Sequence, residues 1–383
     1  MIQIGVVGAG AMGSGIAQVA AQSGHSVLLY DANKHAVDAA IAKIETSLSM
    51  LAQKGKISES EAKISFDNIK GINNLNDFKN CGLVIEAIIE KLDVKQELFK
   101  NLENIVTESC VLATNTSSLS IAAISNACLY KQRFLGIHFF NPATIMPLVE
   151  IIPSFTTSHT VIDELISLIQ SWKKITVLAK DTPGFIVNRI ARPYYGEAIR
   201  IYEEGIADFA TIDWAMKEIG GFKMGPFELM DFIGHDVNYR VTETVFEQMF
   251  YDPRYKPSIT QKRLFEAGCY GKKTGRGYYD YSQEMPLPNM DKEIGNKIFI
   301  RILVMLINEA AEALHLNIAS AKDIDVAMQK GVNYPKGLLA WADELGLAFV
   351  FNHLQSLNDW YSEDRYRPCI LLKSKAMNKS KFL

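Results

Sequence analysis

Few folds can accommodate what the first 31 residues of this chain demand. An uncharged, largely apolar run ends at Val7, as befits a strand buried on both faces. Gly8-Ala9-Gly10-Ala11-Met12-Gly13 follows, and Ile16, Val19 and Ala20 then recur at helical spacing. A second apolar run, Val27–Tyr30, delivers Asp31 at its carboxyl end. A lone G-x-G-x-x-G says little. Set between a strand and a helix, with an acid about 20 residues on, it is the fingerprint of a dinucleotide site. Gly8 permits the tight turn, Gly10 lets the backbone approach a pyrophosphate, and Gly13 allows close helix–strand packing. The helix start at Ala11 and Met12 offers unpaired N–H groups to the phosphates. Asp31 accepts ribose hydroxyls and repels a 2′-phosphate, which favours NAD over NADP.

With 383 residues the chain has room for two or three domains. A formal net charge of −3 gives no reason to expect a nucleic acid or an anionic membrane. The five cysteines are scattered and never spaced C-x-x-C, so neither a disulfide frame nor a metal site is expected. The first strand begins at once, which leaves no room for a presequence, and no apolar stretch reaches membrane-spanning length. The expected location is cytoplasmic.

Past Asp31, Val37, Ile41, Ile44, Leu48 and Leu51 predict a long helix, and Ser58-Glu-Ser-Glu61 the start of another. A helical hairpin over about 34–66 is therefore inserted before the next strand, Leu83–Ile88, and an insertion there usually serves a ligand. Glu90 lies just beyond that strand's end, where ligands of open α/β sheets bind. Further strands are expected at Val111–Asn115, Phe134–Phe140, Leu148–Ile152 and Ile175–Leu178. The turn residues Asp181-Thr-Pro-Gly184 mark a boundary, with a helix beginning near Phe185. The expectation is an α/β Rossmann-type domain over 1–182, then two all-α domains over 183–282 and 292–383.

The second and third parts are related. Glu197, Ile212-Asp213, Gly225 and Asp231 find counterparts at one fixed offset in Glu309, Ile324-Asp325, Gly337 and Asp343. A constant offset over so many residues marks an internal duplication. The later copy is degenerate: Ile300 stands where the first has Asn188, and Leu338 where it has Pro226.

Ser117, His138, Glu150 and Asn188 stand where strand ends or the domain boundary should converge. A lone histidine in a strand is more often structural than catalytic, and the same holds for a lone buried glutamate. Together the four provide a base, a carboxylate to orient it, and two hydrogen-bonding groups. The chain resembles the 3-hydroxyacyl-CoA dehydrogenases over residues 1 to about 281. The resemblance rests on Gly8–Gly13, Asn115-Thr-Ser-Ser-Leu119, His138-Phe-Phe-Asn-Pro142, Leu148-Val-Glu150, Lys180-Asp-Thr-Pro-Gly-Phe-Ile-Val-Asn-Arg189, Gly225-Pro-Phe-Glu-Leu229 and Gly271-Lys-Lys-Thr-Gly275.

That resemblance implies His138 as general base, Glu150 as the acid paired with it, and Ser117 and Asn188 as contacts to substrate or histidine. It places the Gly8–Gly13 loop, Asp31, Glu90, Lys95, Asn115, Asn141 and Lys273 around NAD, and Ser47 and Lys54 of the hairpin on coenzyme A. It also implies an acyl-CoA substrate, and helical domains that pair, either within the chain or in a homodimer. Two other readings stay open: a Rossmann dehydrogenase of free 3-hydroxy acids, and a non-catalytic NAD-binding relative such as the lens crystallins of this superfamily.

Overall fold

The computed structural model describes residues 2–383 and divides into two compact units, Met1–Thr182 and Pro183–Leu383. In the first, eight strands form one sheet: β1 (Ile4–Val7), β2 (Val27–Tyr30), β3 (Ile69–Ile72), β4 (Leu83–Glu86), β5 (Val111–Thr114), β6 (Phe134–Phe139), β7 (Leu148–Pro153) and β8 (Ile175–Leu178). Their spatial order is β3-β2-β1-β4-β5-β6-β7-β8. All neighbours are parallel except β6 and β7. The central strands β1 and β4 are buried throughout, in keeping with apolar runs that only the terminal Glu86 of β4 interrupts. Helix α1 (Ala11–Gln22) buries Ile16, Val19 and Ala20 on the sheet.

The inserted hairpin consists of α2 (Lys34–Gln53) and α3 (Glu59–Asp67). Val37, Ala40, Ile44 and Leu48 form the buried face of α2. A complete capping box, Ser58 with Glu61, starts α3 and satisfies N–H groups in both directions. The chain then makes β3, a strand that the sequence pattern does not announce. Ile69-Lys-Gly-Ile72 is short, sits at the sheet edge and carries a glycine and a lysine, so its apolar signal is weak. The strand at Leu83 is thus the fourth, not the third.

The second unit is helical. Its first helix is Val187–Ile190 rather than a start near Phe185, which takes φ 46°. Residues 183–383 form one compact unit, in which the two helical copies pack together. The reason is the helix Lys292–His315, buried over much of its length, which packs along the helix Arg192–Glu203 of the first copy. The duplication is visible in detail. Asp213 accepts from Phe227 N and Glu228 N, both at 2.8 Å. Asp325 accepts from Leu339 N at 2.8 Å and Ala340 N at 2.9 Å. In each copy the aspartate satisfies the open N–H groups at the start of the following helix.

The two copies also clasp each other reciprocally. Arg189 Nε of the first donates to Glu309 Oε1 of the second at 2.6 Å, and Tyr255 Oη donates to the same oxygen at 2.5 Å. Arg301 Nε of the second donates to Glu197 Oε1 of the first at 2.6 Å, as does Tyr366 Oη at 2.6 Å. Each arginine–glutamate–tyrosine set repeats the other with the copies exchanged.

Candidate active site

The turn from β1 into α1 is built for close approach. Gly8 takes φ 107°, and a Cβ there would lie 2.4 Å from the Ala87 carbonyl oxygen. A Cβ on Gly13 would strike the Gly8 carbonyl, whereas one on Gly10 would meet only open space. Gly10 caps α1 without any side-chain hydrogen bond, leaving the first N–H groups open. Ala9 is buried, Ala11 exposed and Met12 half-buried. Asp31 Oδ2 accepts from Ala9 N at 2.8 Å, and Oδ1 from Asn33 N at 2.9 Å. A cleft of about 640 Å³ opens here, lined by Gly8, Gly10, Tyr30, Asp31 and Ile88 among others. An uncapped helix start, a glycine facing free space and a carboxylate at the second strand's end fit a dinucleotide.

Beside the cleft two glutamates share one lysine. Glu86 is fully buried and accepts from Lys95 Nζ at 2.5 Å, Ile88 N at 2.7 Å and Thr114 Oγ1 at 2.6 Å. Glu90 Oε1 gathers the loop after β5, accepting from Thr116 Oγ1 at 2.6 Å, Ser117 N at 2.9 Å and Ser118 N at 3.2 Å. Its other oxygen pairs with Lys95 at 3.2 Å. Burial would raise the Glu90 carboxyl, but Lys95 and the hydrogen bonds from Thr116 and Ser117 outweigh it and hold it below the usual range. Lys95, expected at the cofactor, is 1% exposed and lies between the two acids. A second buried carboxylate, Glu86, draws it inward. Asn115, also expected at the cofactor, accepts from Phe139 N at 2.8 Å and so ties β5's end to β6.

His138 and Glu150 face each other across the antiparallel β6–β7 pair, directly in register. His138 Nδ1 lies 2.6 Å from Glu150 Oε2. The carboxylate is an acceptor, so Nδ1 is the donor of this hydrogen bond. Glu150 is fully buried and His138 6% exposed. Phe140 packs on the imidazole at 4.5 Å. The loop that follows contains exposed Asn141, in a cis peptide bond with Pro142. Lys174 Nζ holds that loop by donating to the Ala143 and Met146 carbonyls, and burial lowers its pKa to about 8.

The remaining expected residues belong to other elements. Ser47 and Lys54, two turns apart along α2, share one side of the hairpin, with Lys54 exposed at its C-cap. Asn188 and Lys273 belong to the second unit. Asn188 is half-buried in its first helix, and its carbonyl accepts from Arg192 Nε at 2.8 Å. Lys273 pairs with Asp236.

Residues 3–182 match the family model described as 3-hydroxyacyl-CoA dehydrogenase, NAD binding domain. Residues 184–281 and 298–381 match 3-hydroxyacyl-CoA dehydrogenase, C-terminal domain. The chain belongs to the 3-hydroxyacyl-CoA dehydrogenase family. It is 35% identical to 3-hydroxyadipyl-CoA dehydrogenase of Escherichia coli, over 98% of each chain. It is 42% identical to the human mitochondrial hydroxyacyl-coenzyme A dehydrogenase, over 72% of this chain and 90% of that one. The crystal structure of 3-hydroxybutyryl-CoA dehydrogenase from Escherichia coli superposes with a TM-score of 0.95 at 34% identity, covering 99% of both. As a member of this family the chain is an NAD-dependent oxidoreductase.

Sequence reasoning missed two residues that shape the dehydrogenase fold around these groups. One is Glu86, whose signal is a charge inside an otherwise apolar strand. The other is Asp181, taken only as boundary punctuation. It accepts from Ile121 N, Ala122 N and Ser120 Oγ, and so caps the short helix that follows the Ser117 loop.

Proposed function

We propose that the chain oxidises (S)-3-hydroxyacyl-CoA thioesters reversibly to 3-ketoacyl-CoA, with His138 as the general base. The observation that carries this reading is the buried His138–Glu150 pair at 2.6 Å. Bound NAD supplies the acceptor for the hydride that leaves C3. The hydroxyl proton must leave with it, and Nε2 of His138 takes that proton while Nδ1–H stays on Glu150. Glu150 stabilises the resulting imidazolium and fixes the ring's orientation, as a triad carboxylate does. Ser117, on the loop that Glu90 gathers, and Asn188 orient the alcohol and the thioester carbonyl. In the reverse direction the imidazolium returns the proton to the carbonyl oxygen. Asp31 and the Gly8–Gly13 loop hold the adenosine and pyrophosphate ends, and Ser47 and Lys54 the coenzyme A.

The reciprocal clasp supports an intrachain pair of helical domains, and the scattered free cysteines favour a reducing, cytoplasmic setting. His138→Gln should lower kcat for acetoacetyl-CoA reduction by about 100-fold or more while NADH binding, followed by fluorescence, stays within about twofold. Retention of a tenth of wild-type turnover would remove His138 as the base.

A further inference from the structure

Two lysines are buried among the described residues, Lys95 and Lys174. Lys95 lies between two carboxylates. Lys174 has only neutral partners: its Nζ donates to the Ala143 carbonyl at 2.5 Å and to the Met146 carbonyl at 2.8 Å. Burial alone lowers its pKa, to about 8, so the amine is still protonated at neutral pH and both bonds are charge-assisted. An ammonium 8% exposed, with no acid to answer it, costs the fold free energy that an apolar residue would not. Costs of this kind gather at functional sites.

Both carbonyls belong to the loop 140–147, which joins β6 to β7. The next residue fastens the loop's far end, since Ile175 N donates to the Pro147 carbonyl at 2.8 Å. Lys174 is itself firmly placed, because nearby Trp172 stacks on Phe139 of β6 with ring centres 6.3 Å apart. The outer side of the loop is open: Asn141, Pro142, Thr144 and Ile145 are exposed. Its buried residue, Ala143, rests on α1, where a Cβ added to Gly15 would come within 3.1 Å of the Ala143 Cβ. Gly15 lies little more than one turn beyond Gly10, where the helix leaves its N–H groups open. His138 and Glu150 are held separately, inside a ladder of registered pairs from Leu135–Pro153 to Phe139–Val149.

We infer that Lys174 is a positioning residue for the cofactor: it pins the 140–147 loop from beneath against α1, and so presents Asn141 to NAD in one place. The inference rests on the reading in which Asn141 contacts NAD. Lys174 itself touches neither cofactor nor substrate in this scheme. It acts on the one segment that reaches from the catalytic strands to the dinucleotide helix. Because the ladder holds His138 and Glu150 without it, Lys174 governs how tightly the cofactor is bound and not how fast the proton moves.

The test is a double-mutant cycle on the full chain, read by fluorescence titration with NADH. Lys174→Met, which keeps the stem and removes the donors, should weaken NADH binding about tenfold, the scale of one hydrogen bond to the cofactor. At saturating NADH, kcat for acetoacetyl-CoA reduction should stay within about threefold of wild type. Lys174→Arg should recover part of the affinity. Asn141→Ala should weaken binding by a similar factor, and combining it with Lys174→Met should weaken it no further. Should the Lys174 variants fail to fold, Gly15→Ala pushes the same loop from the other side: it should weaken NADH binding, and Ala143→Gly added to it should restore the affinity. Unchanged NADH affinity in Lys174→Met would overturn the inference, as would fully additive losses in the double variant or a loss confined to kcat. If Lys174→Met does not fold, a Gly15→Ala loss that Ala143→Gly leaves in place would overturn it. Wild-type affinity in Asn141→Ala would instead overturn the reading that puts Asn141 on NAD.

Discussion

At the scale of single residues, the site is a set of carboxylates, each with a different task. Glu150 aims an imidazole, Glu90 gathers a loop, and Glu86 anchors the lysine that steadies Glu90. Glu90 carries a pH signature. Its carboxyl sits below the ordinary value of 4.5, so its stabilising contribution is complete above 4.5 and is lost as pH falls through the lower folded-state value. Glu90→Gln should therefore lower the urea midpoint at pH 7, and the gap from wild type should close below about pH 4.5. A gap independent of pH would mean that the side chain's shape, not its charge, holds the loop. The sequence singles out His138, Glu150 and Ser117 because motifs and strand ends mark them. It did not reveal that Lys95 turns inward, since that depends on Glu86, one acid in a strand whose neighbours all read as core.

At the scale of elements, what could be read depended on how strongly each segment's pattern repeats. β1, α1 and β2 combine buried runs, glycines and a terminal acid, so several levels agree. β3 offers four residues, one of them glycine, and stays hidden until β2 is there to pair with it. The α2–α3 hairpin lies between these extremes: its periodicity and capping box announce helices, and its purpose comes only from resemblance. Lys54, exposed at the end of α2, meets coenzyme A phosphates as a point charge in the reading above. Lys54→Glu should raise KM for acetoacetyl-CoA about tenfold, and leave KM for a pantetheine thioester without the nucleotide nearly unchanged. Equal increases for both substrates would take coenzyme A away from this helix.

At the scale of the whole molecule, the duplication and the pairing of its copies could be read, and the contacts that join them could not. A fixed offset shows that Arg189 and Arg301, like Glu197 and Glu309, are equivalent. Nothing in a linear sequence says that each arginine reaches the other copy's glutamate. Ending the chain after Ser282 would strand Glu197 and Arg189 without their charges and bare the face that the helix Lys292–His315 covers. Breaking a buried pair from one side costs about 3–5 kcal/mol. The truncated protein should dimerise or aggregate in sedimentation experiments, whereas the full chain should not use this face. A stable, fully active truncated monomer would show that the second copy is an accessory.

The clasp also sets a timetable for synthesis. Arg189 leaves the ribosome 120 residues before Glu309. At translation rates of about 5–20 residues per second, the first copy waits roughly 6–24 s for its acid. Throughout that interval the nascent chain displays an unfilled apolar face and a charge with no counterpart, beside ribosomes making identical chains. Two neighbouring nascent chains could each offer the other the missing half. The vulnerable moment in this protein's life thus comes during its making, and expression conditions that slow elongation past residue 282 should cost yield even when the finished enzyme is stable.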